Sequence, residues 1–343
     1  MKILVTGGAG FIGSALVRYL INNTKHYVIN VDKLIYPASL YSLQDIKKSN
    51  RYQFEKTDIS NNVKLEKIFA KHKPQIIFHL AAETHVDTSI NSPNKFIKTN
   101  ILGTYSLLEV ARNYLNNISN IKKKKFKFIH VSTDEVYGDL GLKDSPFKET
   151  NPYKPSSPYS ASKASSDHLV RSWGRTFKIP YVITNCSNNY GPYQFPEKLI
   201  PNVINRAING LPIMVYGDGK QIRDWLYVED HIRALIKIAD NEKAFCTYNI
   251  GGSNEIKNIN VVLEICDILE KLKIPKQGEI KKFSDLINFI EDRPGHDMRY
   301  GVNSYKIRSQ LKWKPNETFR TGLKKTVVWY VENKKWLQNF KFF

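Results

Sequence analysis

Three glycines, Gly7, Gly10 and Gly13, stand at a Gly-x-x-Gly-x-x-Gly spacing directly behind the apolar run Met1–Val5. This feature constrains the fold most. Glycines between a strand and a helix let the backbone turn tightly and approach a bulky anion at the helix N-terminus. The chain beyond repeats the same strand–helix unit. Short β-branched runs predict strands at Lys2–Thr6, Tyr27–Asp32, Tyr52–Lys56, Gln75–Leu80, Lys127–Ser132 and Tyr181–Asn185. Helical patterns fill the gaps at Ile12–Asn22, Asn62–His72, Pro93–Asn116 and Ser160–Phe177. The strands are apolar almost without interruption, as strands covered on both faces must be, and strand–helix alternation argues for a parallel sheet.

The expected fold class is therefore α/β, a doubly wound parallel sheet of Rossmann type with a smaller C-terminal α/β substrate domain. The 343 residues suffice for two closely joined domains. Residues 1–187 are expected to form the dinucleotide-binding domain and 188–343 the second. Pro, Gly and Tyr become frequent after Asn188, and a helix Asn260–Leu272 is predicted there. The helix Val228–Ala239 and the strand Thr247–Ile250 place the segments near 224–252 back in the first domain. No stretch approaches the roughly 20 apolar residues of a membrane span. The cysteines Cys186, Cys246 and Cys266 are scattered, without metal-ligand spacing, and read as thiols of a reducing, cytoplasmic compartment. The 52 Lys and Arg against 32 Asp and Glu give a net charge of +20. Apart from Lys122–Lys125 the basic residues are dispersed, without interleaved aromatics, so the excess is read as a solvated surface that attracts anionic substrates and not as a nucleic-acid patch.

Asp32 ends the second predicted strand, nineteen residues after Gly13. A carboxylate there accepts hydrogen bonds from the adenosine ribose and repels a 2′-phosphate, which favours NAD over NADP. Lys33 beside it works against that preference. Asp58-Ile59, after the third strand, is placed to flank the adenine. Farther on, Tyr159 and Lys163 are four residues apart on one helix face. A nearby ammonium stabilises a phenolate, lowering the tyrosine pKa from its usual value of about 10, so that the oxygen can act as a base. Asp134-Glu135 follows the fifth strand. Two carboxyls at a strand end can serve as acid and base for a dehydration if their environments separate their pKa values.

The glycine spacing together with Tyr159-Ser160-Ala161-Ser162-Lys163 resembles the extended short-chain dehydrogenase/reductase superfamily. Ser132-Thr133-Asp134-Glu135-Val136-Tyr137-Gly138 narrows it: the chain resembles the dTDP-glucose 4,6-dehydratases. Ala81–Asp87, Cys186–Pro192, Phe195–Pro201, Arg223–Val228 and Asp292–Asp297 agree, so that the likeness spans residues 1–330. It implies an NAD-dependent hydro-lyase acting on a nucleoside-diphosphate-glucose, as a homodimer paired through the helices Pro93–Asn116 and Ser160–Phe177. Tyr159 would deprotonate the C4 hydroxyl as hydride passes to NAD, with Thr133 bonded to the C4 oxygen. Glu135 would remove the C5 proton, Asp134 would protonate the departing C6 hydroxyl, and hydride would return to C6. Lys163 would hold the tightly bound cofactor and lower the Tyr159 pKa.

The same resemblance implies cofactor contacts at Gly7, Gly10, Phe11, Ile12, Gly13, Asp32, Lys33, Leu34, Ile35, Asp58, Ile59, Leu80, Ala81, Ala82, Thr84, Thr99, Tyr159, Lys163 and Asn189. The substrate would meet Thr84, His85, Thr133, Asn188, Lys198, Leu199, Met214, Val215, Tyr216, Arg223, Asn258, Asp292, Arg293, Pro294, Gly295 and His296. Arg223 and Arg293 suit a diphosphate because guanidinium forms forked, charge-assisted bonds to phosphate oxygens. His85 is either a glucose contact or a core histidine, and Tyr216 either stacks on the base or simply packs. Thr88 stands where the family often has Arg, Pro37-Ala38-Ser39 replaces a more usual Ala-Gly-Asn, and the segment from Gly138 to Tyr159 is short. Thymine and uracil are not distinguished, so a UDP-glucose 4,6-dehydratase is the nearest alternative. A non-catalytic protein that senses NAD or binds RNA is opposed by the joint presence of Asp134, Glu135, Tyr159 and Lys163.

Overall fold

The computed structural model describes residues 1–338. Its centre is a sheet of seven strands, β1 (Lys2–Thr6), β2 (Tyr27–Asp32), β3 (Tyr52–Lys56), β4 (Ile76–His79), β5 (Lys127–Thr133), β6 (Tyr181–Cys186) and β10 (Cys246–Ile250). They run parallel in the order β10-β6-β5-β4-β1-β2-β3. The chain winds outward from β1 to β3, returns to lay β4 on the other side of β1, and winds outward again. Such a reversal leaves a crevice at the carboxyl ends of β1 and β4, where ligands of open α/β sheets bind.

Helices cover both faces. On one, α1 (Phe11–Asn23), α9 (Val228–Asp240) and α11 (Tyr305–Leu311) enclose a core with Ile3, Val5, Leu16, Leu235, Ile307 and Trp313. On the other, α2 (Asn62–His72), α5 (Thr104–Asn116) and α7 (Pro158–Phe177) pack on Leu4, Ile29, Ile77, Phe128 and Ile183. Alternate residues of each strand thus enter opposite cores, which is why the strands read as unbroken apolar runs. α7 begins two residues ahead of the sequence expectation. Ser157 and Ser160 form a reciprocal capping box and Pro158 occupies the first turn, where its missing N–H costs nothing. The helix expected at Pro93–Asn116 is divided. It follows the short α3 (Val86–Asn91) and comprises α4 (Pro93–Phe96), a widened π-turn at Ile97–Gly103, and α5. One extra residue per turn preserves the apolar spacing on either side, so the division left no mark in the periodicity. The five-residue helix α6 (Asn120–Lys124) carries the lysine run.

The remaining elements build a second core. β7 (Asn188–Tyr190), β9 (Ile222–Tyr227) and β11 (Glu255–Lys257) form one small sheet, and β8 (Ile213–Tyr216) pairs with β12 (Ile287–Ile290). With α8 (Leu199–Ile208), α10 (Asn258–Lys271), α12 (Phe319–Glu332) and α13 (Lys334–Gln338) they surround Phe195, Ile204, Val215, Trp225, Ile265 and Tyr330. Asp230, in the first turn of α9, ties the two cores together. Its buried carboxylate pairs with Arg233 and accepts from Asn316 N at 2.9 Å and Glu317 N at 3.0 Å, just before α12. Replacing Asp230 by Ala leaves two backbone donors unpaired and is expected to cost about 2 kcal/mol or more. Thermal unfolding checks this; an unchanged melting temperature would contradict it.

Candidate active site

A cleft opens at the β1/β4 crevice and collects the sequence-predicted cofactor residues. Gly7 leaves β1 with φ of +71°, and a Cβ there would lie 2.6 Å from Ala81 N. A Cβ on Gly13 would collide with Gly7 O. The glycines thus let the 80–82 loop and the start of α1 close on each other, leaving a cradle that a pyrophosphate fits. Gly10 caps α1 without any side chain in the way. Gly7, Gly10, Phe11, Ile12, Gly13, Asp32, Lys33, Ile35, Ile59, Leu80, Ala81, Ala82, Thr84, Thr99 and Asn189 all line the cleft. Leu34 and Asp58 do not. Leu34 is left-handed, with φ of 53°, and its N–H turns back to Asp32 Oδ1 at 2.9 Å. Asp58 caps the turn before α2 through Ser60.

Asp32 is held by a second N–H, from Ala9 to Oδ2 at 3.0 Å. Burial pushes its carboxyl up, while these two donors and Lys33 pull it down. A carboxylate has about four acceptor positions, so two remain for ribose hydroxyls. Lys33, which the sequence sets against an NAD preference, is engaged elsewhere: its ammonium lies 3.3 Å from Glu83, 3.1 Å from Thr99 Oγ1 and 3.9 Å from Asp58. With that cation held by other partners, the free acceptor positions of Asp32 face this end of the cleft. Apo-protein supplied with NADP is expected to recover little activity relative to NAD; equal recovery would refute the Asp32 argument.

At the other end of the cleft, β5 delivers Thr133, and a short 3-10 turn from Asp134 to Tyr137 follows. Thr133 Oγ1 accepts from Glu135 N at 3.3 Å and donates to Asp134 Oδ1 at 3.3 Å. Tyr159 and Lys163, one turn apart in α7, face the same space. Burial raises the Asp134 carboxyl well above the usual range, and the neighbouring Glu135 and Asp224 add to it. Glu135 is also raised by burial, but Arg223, Lys198 and Arg293 oppose the rise. The two adjacent carboxyls therefore sit in different fields. Burial, with Glu135 and Cys186 beside it, raises the Tyr159 phenol well above 10, and the Thr133 hydroxyl opposes that. Lys163 donates to Val131 O at 2.9 Å, and burial lowers its own pKa. The lowering of Tyr159 expected from Lys163 is thus outweighed here by burial and by the acidic groups beside the phenol.

Of the predicted substrate residues, Thr84, His85, Thr133, Asn188 and Lys198 line this cleft. Lys198 Nζ donates to Thr84 O at 3.0 Å. His85 is no core histidine: it is partly exposed, and its Nδ1 accepts from Thr88 N at 3.3 Å to cap α3. The others stand outside the lining of this cleft, on the C-terminal side. Arg223 is anchored by carbonyls of Ile222 and Asp297 at 2.8 and 2.9 Å and lies over the Tyr300 ring. Arg293 pairs with Asp87 at 3.3 Å, and His296 with Asp292 at 2.6 Å. The left-handed Gly295 follows Pro294 in the loop that carries both. Met214 and Tyr216 point outward from β8, whereas Val215 is buried in the second core. Leu199 begins α8 and packs partly against that core, and Asn258 begins α10.

Sequence reasoning missed several lining residues. Cys186 ends β6 directly opposite Thr133 in the parallel register, and its thiol, raised to about 12 by burial, donates to Ser132 O. Aligning the ends of neighbouring strands would have found it. Gln194, Phe195 and Glu197 come from the loop before α8, and Tyr36, Pro37 and Ala38 from the loop after β2. Only the tertiary fold brings these together.

The chain matches the GDP-mannose 4,6 dehydratase family over residues 4–326. It is 58% identical to a dTDP-glucose 4,6-dehydratase of Shigella flexneri over 349 aligned residues, covering 99% of this chain and 96% of that one. A dTDP-glucose 4,6-dehydratase of Neisseria meningitidis is 57% identical, covering 98% and 95%. Among solved structures, that of dTDP-glucose 4,6-dehydratase from Bacillus anthracis in complex with NAD superposes with a TM-score of 0.87 at 40% identity, covering 99% of this chain and all of that one. A UDP-glucose 4-epimerase of Thermotoga maritima shares the fold at 30% identity, with a TM-score of 0.84 and coverage of 97% and 100%. A glycine cradle closed on Ala81, a buried carboxylate at Asp32 and an acidic pair beside Tyr159 thus occur in a chain that belongs to the NAD-dependent dTDP-glucose 4,6-dehydratase family.

Proposed function

We propose that this chain dehydrates dTDP-glucose to dTDP-4-keto-6-deoxyglucose, with Thr133, Asp134, Glu135, Tyr159 and Lys163 as the chemical groups. The observation that carries this is the acidic pair in unequal fields at the same end of the cleft as Tyr159. Bound NAD supplies a hydride acceptor for C4 and a hydride donor for C6, which leaves it regenerated after each turnover. Gly7, Gly10 and Gly13 would hold its pyrophosphate, Asp32 its adenosine ribose and Lys163 its other ribose. Tyr159 takes the C4 hydroxyl proton while Thr133 bonds the same oxygen. The C4 ketone acidifies the C5 proton, which Glu135 removes; C5 is reprotonated when C6 is reduced. Asp134, protonated in its buried surroundings, gives its proton to the departing C6 hydroxyl. Arg223, Arg293 and Lys198 favour the ionised form of Glu135 and supply positive charge toward the diphosphate.

The division at residue 187, with the 224–252 region returning to the first domain, is supported by β10 in the main sheet and α9 on its face. A homodimer paired through the π-turn, α5 and α7 is supported by the exposed apolar side chains of Ile97, Leu102, Tyr105 and Phe177 on them. Three free thiols support a cytoplasmic setting. No helix among the described residues is long and apolar enough to cross a membrane.

Incubation with dTDP-glucose and with UDP-glucose, following loss of one water by mass, tests the activity and the base. Turnover of neither by the NAD-loaded protein would overturn the reading. Tyr159→Phe is expected to lose at least about 10²-fold in turnover, typical of a lost proton-transfer group. Glu135→Gln should still oxidise C4 but lose water slowly; normal dehydration would remove Glu135 as the base. The rate of water loss should rise as pH passes the raised Glu135 pKa and fall as Asp134 loses its proton. Arg223 lowers both carboxyls. Arg223→Gln should therefore move both limbs of the profile to higher pH, and unmoved limbs would contradict the electrostatic assignment.

A further inference from the structure

We infer that His79, locked in one tautomer between two threonine hydroxyls, is a positioning residue that couples the cofactor loops to the helix carrying Tyr159. The inference rests on the reading of Tyr159 as the base.

The locking follows from counting protons. Thr104 Oγ1 lies 2.6 Å from Asn100 O, which can only accept, so the single hydroxyl proton of Thr104 is used there. The same oxygen lies 2.9 Å from His79 Nε2, so Nε2 must carry the hydrogen. On the other side, His79 Nδ1 lies 2.7 Å from Thr6 Oγ1, which accepts from Ala81 N at 3.3 Å. Burial, with His130 and Lys163 nearby, holds the ring neutral by driving its pKa well below 6.5. Nδ1 is then the acceptor and Thr6 the donor. Each hydrogen bond in the chain from Ala81 N through Thr6, His79 and Thr104 to Asn100 O therefore has a single allowed direction.

Asn100 carries the connection onward. Its Oδ1 accepts from Glu83 N at 2.8 Å, and its Nδ2 donates to Glu83 O at 3.0 Å and to Ser162 Oγ at 2.8 Å. Ser162 Oγ donates to Tyr159 O at 2.7 Å. The path joins the last residue of β1, just before Gly7, to the 80–83 loop, to the π-turn that holds Thr99, and to α7. These segments are far apart in sequence, yet between them they present both the cofactor cradle and Tyr159. Hydride transfer requires reacting atoms about 3–3.5 Å apart, and a displacement of about 1 Å costs about 10²-fold in rate. A buried chain of hydrogen bonds with one allowed direction fixes that separation.

Thr104→Val in the NAD-loaded enzyme tests this. Valine keeps the shape but removes the acceptor, so His79 Nε2–H is left unpaired or the ring takes the other tautomer and competes with Ala81 for Thr6. Per NAD-loaded site, kcat is expected to fall about tenfold or more with KM changed less than about twofold. The isotope effect with C4-deuterated substrate should exceed that of the wild type, because hydride transfer becomes limiting. Thr104→Ser keeps the hydroxyl and should restore both constants. Thr6→Val, at the other end of the ring, should give the same signature, and it decides the matter if the first variant does not fold. A wild-type kcat in the folded valine variants, a loss confined to KM or NAD occupancy, an unchanged isotope effect, or a serine variant as impaired as valine would each overturn the inference. Tyr159→Phe separates the two readings. If it turns over normally, the assignment of the base has failed; if it is inactive while Thr104→Val is unimpaired, only the coupling through His79 is wrong.

Discussion

The parallel pairing of β1 with β4 is the constraint on which the rest of the site depends. Ile3 pairs with Ile76 and Thr6 with His79 across about seventy residues of intervening chain. Because β2 and β3 lie on one side of β1, and β4, β5 and β6 on the other, the loops after β1 and β4 diverge from a common crevice. The absence of side chains at Gly7 and Gly13 lets the walls of that crevice come within backbone contact. The carboxyl end of β5, one strand farther on, then brings Thr133, Asp134 and Glu135 to the same rim as Tyr159. The groups proposed as catalytic are thus placed by strand order, on α7 and on the turn after β5.

Burial is the second organising effect, and it acts on each ionisable group differently. Asp134 is enclosed with two other carboxyls, one of them the buried Asp224, itself raised to about 6. Glu135, adjacent in sequence, faces three cations. A single pair of neighbouring residues can therefore supply one group that holds a proton and one that gives it up more readily. This is the condition under which carboxyls divide acid and base roles. The same dryness that raises Asp134 also raises Tyr159 and lowers Lys163, so the pair Tyr159–Lys163 is not by itself an activated phenolate. Positive charge brought into the cleft with the oxidised nicotinamide would act on the phenol in the direction that Lys163 alone does not achieve.

Much of this was legible in the sequence because it depends on local pattern. β1, β2 and β3 have the expected bounds, since an apolar run between turn residues ends where the turn begins. The glycine loop, Asp32 and the acidic pair were found because their chemistry is confined to a few adjacent residues. What was not legible depends on distant partners. Lys33 reads as a free cation until Glu83 and Asp58 are seen beside it. Leu34 reads as a lining residue until its left-handed backbone turns it away. The π-turn at Ile97–Gly103 escaped because its apolar residues keep helical spacing on either side, while its cause is tertiary: Asn100 is drawn to Glu83 and Ser162. Val215 illustrates the converse limit, a position assigned to the substrate by motif whose side chain the alternation of β8 sends into the core.

The likeness of the fold to an epimerase sharpens what must distinguish a dehydratase. The same architecture serves a UDP-glucose 4-epimerase, so the fold alone does not set the outcome. Dehydration additionally needs a proton removed at C5 and another delivered at C6, on neighbouring carbons and in concert with a ketone that exists only transiently. Dividing those two demands between side chains lets one group take the first proton while another already holds the second. Two carboxyls in contact already titrate apart, because one ionised group suppresses the ionisation of the other, and unequal fields decide which of them keeps the proton. Here Glu135 and Asp224 add to the rise of Asp134, whereas Arg223, Lys198 and Arg293 oppose the rise of Glu135. The three cations come from the C-terminal half of the chain, so that half takes part in the acid–base division proposed for the pair.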